Sequence, residues 1–349
     1  MSVSKRFSPF IFLLVWFSLM ANPASALTIL INPGTQLTAN SDALAAFGRA
    51  AQEWSSMITN NVTIYVDADL SNAFTNSNTI GASGYTSYTQ DGSDINLNYT
   101  TVRNAMAARS SRPGDSILAY LPTTGTVKAN TPSGTTLDSS TIGVVRANQR
   151  VLGLLGSGDT QADGIITFNS NFTFDYNRAD GVDPGKVDFQ TAAAHELGHL
   201  LGFLSDVDDF VNYAGTITSD NLTTLDLFRF AAANKPTTPE EFQTSARELN
   251  YGVESVISDV NSNYALSTGS FPFGDGNQAS HWKDDSITGD LIGIMDPTLA
   301  NGFFEIVGAA DLRAMELIGY DVVPEPSVTH LLLLGLTLQF VFVRRRKKI

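Results

Sequence analysis

Residues 187–203 read VDFQTAAAHELGHLLGF, and this segment limits the possible folds more than any other. Its Ala and Leu content reads as a helix, and a helix places residues four apart on one face, one turn above the other. His195 and His199 stand at that spacing, with Glu196 next to the first. Two imidazoles one turn apart can reach one zinc ion, and the carboxylate beside them projects toward a water on that ion. With only four histidines in 349 residues, a chance His-Glu-x-x-His arises on the order of once in a thousand such chains, so the pattern is specific. Zinc chemistry also needs a third protein ligand and an open fourth position.

The chain has no cysteine, which excludes a disulfide framework, a thiolate zinc site, a cysteine nucleophile and latency through a metal-bound cysteine. The third ligand must then be His, Asp or Glu. His330 stands near the C-terminus, which leaves His281 as the natural choice and Asp206 or Asp208 as the carboxylate alternatives. Seven of the 21 basic residues sit at the two ends, so the body carries 14 basic and 34 acidic side chains, a net charge of about −20. Such a field repels nucleic acid and anionic lipid and attracts divalent cations. Residues 91–94 (Asp-Gly-Ser-Asp) and 159–163 are candidate Ca2+ loops, but neither has EF-hand spacing and both read better as solvated turns.

The ends read as addresses. Residues 1–26 combine Lys5 and Arg6, an apolar run from Phe10 to Met20 and the small residues Ala24-Ser25-Ala26, the order of a cleaved signal peptide. At the other end, Pro324-Glu325-Pro326 precedes a 16-residue apolar span at 328–343 and a basic cluster at 344–348. The span is slightly shorter than the roughly 17 to 25 residues of a typical membrane helix, and its basic end should stay cytoplasmic. Residues 322–349 resemble the PEP-CTERM sorting signal. That resemblance implies processing by an exosortase-like enzyme, transient membrane association through the tail, and export of the body to the cell envelope, cell surface or medium.

Between the ends, 43% of the chain being hydrophobic allows a real core, and no internal repeat or long linker divides it. Ser41 is placed to cap a helix through Met57, with Leu44, Phe47, Ala51 and Trp54 on one face. Residues 62–66 alternate as a half-buried strand, 164–169 read as a strand, and 172–176 extends the β signal. Residues 72–94 read as loops with short strands, 99–110 and 142–155 as helices, and 311–320 as a closing helix packed through Leu312, Met315, Leu317 and Ile318.

Residues 279–297 read ASHWKDDSITGDLIGIMDP, with Met295 fourteen residues after His281. Together with HELGHLLGF this resembles the leishmanolysin-like branch of the metzincins. In those zinc peptidases a His-Glu-x-x-His-x-x-Gly-Phe helix is separated by a long insertion from a third His, and a Ser-His-Trp segment precedes a Met-x-Pro turn. In shorter metzincins the third histidine would fall at position 205, held here by Ser205. The resemblance implies His195, His199 and His281 as zinc ligands, Glu196 as general base, and Met295 as the Met-turn residue that floors the metal without binding it. It covers residues 195–203 and 280–297 only, and the disulfides of the eukaryotic members are absent.

The expectation is an α+β, zincin or metzincin-like domain over residues 27–321. It has a mixed twisted sheet, a zinc helix at 187–203, an insertion at 204–280, the third ligand and Met-turn at 281–297, and a smaller C-terminal part closing the cleft. The expected activity is Zn2+-dependent hydrolysis of peptide bonds in protein or peptide substrates, with residues 164–169 either the edge strand along which an extended substrate pairs, as the resemblance implies, or a plain sheet strand. The competing expectation is a non-catalytic envelope or matrix protein that retains the fold. An intact Glu196 argues against it.

Overall fold

Alternating burial along residues 63–71 sets the architecture. Ile64, Val66, Ala68 and Leu70 are buried while Tyr65, Asp67 and Asp69 are half-exposed, the period-two signature of a sheet covered on one face. The structure, a computed structural model, describes residues 27–85, 96–110, 112, 115–132, 134, 136–156, 158–208 and 221–323. The elements that position the site are strand β1 (Thr28–Pro33), helix α1 (Ser41–Met57), strands β2 (Thr63–Ser71) and β3 (Gly81–Tyr85), helices α2 (Tyr99–Ala107) and α3 (Arg146–Leu152), strand β4 (Gly164–Asn169), and helices α4 (Phe189–Leu201) and α5 (Ala309–Leu317).

The main sheet has the order β1-β2-β4-β3. β1, β2 and β4 run parallel and β3 runs antiparallel to β4. Helices α1 and α4 cover its buried face, where Phe168 of β4 meets Phe47 of α1 at 5.5 Å and Phe189 of α4 at 4.6 Å between ring centroids. Buried Ala43, Ala46, Ala50 and Ala51 line α1. These small side chains let α4 approach, and the Trp54 indole donates to the Ala194 carbonyl at 2.8 Å. Leu44 is only half-buried at the margin of this face. The cap is Asn40 rather than Ser41: the Asn40 carboxamide oxygen accepts from Ala43 N at 3.1 Å, while Ser41 is already the first helical residue.

One expected helix divides. In residues 142–155, Thr141–Gly143 pairs as a strand with Asn96–Asn98 and Leu222–Thr223, and only α3 is helical. The β-branched run Ile142, Val144 and Val145 fits a strand and its exit better than a helix. Further on, Arg229–Ala231, Ser255–Ser258 and Asn263–Leu266 form a small antiparallel sheet. The segment carrying His281 lies along its last strand, with Ser267 N donating to His281 O at 3.1 Å and Lys283 N to Ala265 O at 3.0 Å. One hydrophobic core runs from Leu27 to Tyr320. The mixed sheet with helices gathered on one face is α+β, as anticipated.

Among the described residues no helix is long and apolar enough to cross a membrane. The signal-peptide reading of residues 1–26, the Asp-rich segment 91–94, part of the insertion at 209–220, and the sorting tail with its span at 328–343 and His330 lie outside the described residues.

Candidate metal centre

The helix with the motif is shorter than its sequence pattern. Val187–Asp188 pairs as a two-residue strand with Phe174–Asp175. Asp188 then caps α4, one of its carboxylate oxygens accepting from Thr191 N at 2.8 Å and from the Thr191 hydroxyl at 2.7 Å. Gly202 ends the helix at φ +121°, a conformation that side chains disfavour. This reversal sends the Phe203 carbonyl back to accept from His199 Nδ1 at 2.8 Å.

All three candidate histidines meet. The Nε2 atoms of His195 and His199 are 3.1 Å apart, those of His195 and His281 are 3.1 Å apart, and those of His199 and His281 are 3.2 Å apart. Each Nδ1 faces a backbone carbonyl: Ile294 O for His195 at 2.8 Å, Phe203 O for His199 at 2.8 Å, and Gln278 O for His281 at 3.1 Å. A carbonyl can only accept, so each Nδ1 carries the proton and each neutral ring turns a bare Nε2 lone pair to the centre. Burial keeps the rings neutral, pushing His195 down to about 4, His199 to about 3 and His281 well below the ordinary histidine range. Three converging lone pairs without a proton between them repel one another, and a cation removes that cost. Zn2+ bound at about 2.0–2.1 Å by three tetrahedral nitrogens would hold them about 3.3–3.4 Å apart, close to the observed spacing. The carbonyls behind the rings are the outer partners that metal-ligating histidines require. The donor set therefore fits zinc.

Glu196 is 7% exposed and its carboxyl is pushed up to about 7 by burial, against hydrogen bonds from the Ser83 backbone and side chain that lower it. Ser83 belongs to β3, so the carboxylate that neighbours the histidines is also tied to an edge strand of the sheet. Met295 is fully buried beneath the helix. Its sulfur lies so close under Gly198 that a Cβ there would run into it, so the helix passes over the methionine only because residue 198 has no side chain.

No protein-family model, curated protein or solved structure matches this chain. The donors themselves carry the chemical argument.

The rival carboxylates Asp206 and Asp208 stand outside the histidine cluster, as does Ser205. The Ser205 hydroxyl donates to Asp226 at 2.7 Å and its N–H to the Ser280 hydroxyl at 2.9 Å. Asp206 lines a small cavity with Asn96, Gly202 and Thr223 and is outside the histidine cluster. Asp208 accepts from Ser270 N at 2.7 Å and from Ala279 N at 2.6 Å, fastening the loop that leads to His281. Residues 159–163, read as a solvated turn with calcium as the alternative, are engaged by arginines instead: wholly buried Asp163 by Arg150 at 2.7 Å and Asp159 by Arg146 at 2.6 Å. A different acidic group, Asp284, Asp285 and Asp296, brings carboxylate oxygens within 4.8 Å of one another.

Two features escaped the sequence reading. Residues 164–169 do form a strand, but it lies between β2 and β3 inside the sheet rather than at its edge; the edges are β1 and β3. A short strand within residues 72–94 was expected, but not its pairing with residues 164–169. Asp311, in the closing helix, is wholly buried against the Met295 turn. The available signal was a charged residue among the apolar positions of that helix.

Proposed function

We propose that this chain is an exported, zinc-dependent endopeptidase of metzincin type. The observation that carries the proposal is the convergence of three unprotonated Nε2 atoms within 3.1–3.2 Å next to a buried carboxylate at the adjoining helix position. His195, His199 and His281 would hold the ion, with Met295 as its apolar floor. Bound zinc supplies Lewis acidity to a water and to a peptide carbonyl. Glu196, the buried carboxylate beside the ligands, would take a proton from the attacking water and return it to the leaving amine. A structural zinc site has no use for such a group, which sets the non-catalytic alternative behind.

Substrate entry follows from the sheet. An extended peptide can add to an outer strand through backbone hydrogen bonds, and β3 is the strand that meets Glu196. The tail resembling PEP-CTERM signals supports release to the cell surface or medium after exosortase-like processing.

The test is metal content and proteolysis on the purified protein with denatured proteins as substrates. One zinc per chain, with cleavage lost in Glu196→Ala while zinc is kept, is the expected result. Zinc binding with no cleavage by the wild type would move the reading to a structural or adhesive protein.

A further inference from the structure

Asp311 sits in the first turn of α5, far along the chain from the His-Glu-x-x-His segment, and none of its surface is exposed. Among the described residues no cation pairs with it. Its charge is met by N–H donors instead: Oδ1 accepts from the Trp282 indole at 2.7 Å and from Met295 N at 3.4 Å, and Oδ2 accepts from Ile294 N at 2.9 Å and from Gly308 N at 2.8 Å. Only the Gly308 bond serves the helix's own start. The other three reach the two segments that build the far side of the histidine cluster.

Two of these bonds lead on to a candidate ligand. Ile294 is held at both ends, its N–H by Asp311 and its carbonyl by His195 Nδ1 at 2.8 Å. Trp282 directly follows His281, and its own N–H donates to the Met295 carbonyl at 2.9 Å. His199 is oriented by Phe203 alone, without Asp311. One carboxylate thus ties His195, His281 and the Met295 turn into one unit, while the third histidine belongs to the helix.

We infer that Asp311 is a positioning residue for the metal site, setting the directions of His195 and His281 through Ile294 and Trp282; this rests on the zinc reading above. A carboxylate is suited to the task because its two oxygens accept four bonds, where an asparagine would turn an NH2 toward N–H donors. Partners one step behind the ligands typically change metal affinity about 10–100-fold when removed.

The experiment measures zinc affinity by chelator competition and the visible spectrum of the cobalt-substituted protein, for wild type, Asp311→Asn, Trp282→Phe and Asp163→Asn. Asp163 is the control: it is equally buried but bonded to Arg150 and to Tyr65 N, away from the histidines. The expected result is a loss of about 10–100-fold in zinc affinity with a shifted cobalt spectrum for Asp311→Asn. Trp282→Phe, which keeps an aromatic ring and removes the indole donor at some loss of packing, should shift both readouts in the same direction by less. Asp163→Asn should lower thermal stability and leave both unchanged. Folded Asp311→Asn with wild-type zinc affinity and spectrum overturns the inference. If Asp311→Asn does not fold, Trp282→Phe decides, and unchanged readouts there overturn it equally. A wild type that binds no zinc defeats the metal-site reading itself, which is a separate result from variants that bind as well as wild type.

Discussion

The two sides of the histidine cluster are built in opposite ways. On one side, His195, Glu196 and His199 come from a single helix, and the carbonyl that orients His199 is supplied four residues later by the turn at Gly202. On the other side, His281 and Met295 lie in chain with little regular structure, held by side chains that accept backbone N–H groups: Asp208 for Ala279, Asp311 for Ile294 and Met295. Helical periodicity does the work in the first case and buried carboxylates in the second. A local array needs few outside partners, whereas an irregular segment must have its backbone polar groups satisfied from elsewhere in the fold.

The strongest way to break this comparison is to remove a ligand from each side. His199→Ala and His281→Ala should each weaken zinc by more than the roughly 100-fold attributed to supporting groups, measured by chelator competition. Equal losses mean that the assembled side is a full ligand; a negligible loss in His281→Ala means that the cluster works as a two-histidine site and the second side is scaffold. Next in size, Asp208→Ala strands the N–H groups of Ser270 and Ala279, at about 1–3 kcal/mol for each that stays buried and unpaired. Thermal unfolding should show the loss, and zinc affinity should fall with it, because that loop carries His281. Gly198→Ala attacks the contact between the two sides by driving a methyl into the Met295 sulfur, with an overpacking cost of about 1–3 kcal/mol. A variant as stable as wild type would mean that the methionine moves freely.

Acid should act on the cluster as a whole. His195, His199 and His281 have folded-state values below the unfolded histidine value of 6.5, so their contribution is full above that pH and is lost as pH falls toward about 4. Glu196 is raised and works the other way, contributing below its unfolded value of 4.5 and losing that contribution as pH rises through about 7. Three groups outweigh one, so the melting temperature of metal-free protein should drop between pH 6.5 and 4.5. A flat profile over that window would contradict buried neutral histidines. The smallest effect tests the entry to α1: Asn40→Ala should cost about 0.5–2 kcal/mol as a lost cap while Ser41→Ala costs much less, compared by denaturant unfolding.

Much of the candidate site was legible because it is local or because few residues qualify. His195, Glu196 and His199 follow from spacing within one helix, and His281 from a body with only one other histidine to offer. Their meeting at 3.1–3.2 Å is a fact of the fold. Strand β2 was visible through alternation and β4 was read as a strand, but the position of β4 inside the sheet was not legible, since pairing order depends on which strand lies across from it and side-chain alternation is silent on that. The strand at Thr141–Gly143 was read as helix because an apolar run of that length fits either period.

By itself, then, the sequence determined the His-Glu-x-x-His pattern, the helix that bears it, the α+β class and the excess of acid over base, because each of these is written in spacing or composition. The tertiary structure alone decided that β3 is the edge strand beside Glu196, that Asp208 fastens Ser270 and Ala279, and that Asp311 reaches Trp282, Ile294 and Met295. Those assignments depend on contacts between residues far apart along the chain. Residue type fixes what a carboxylate can accept, and only the packed chain determines which N–H groups are brought to it.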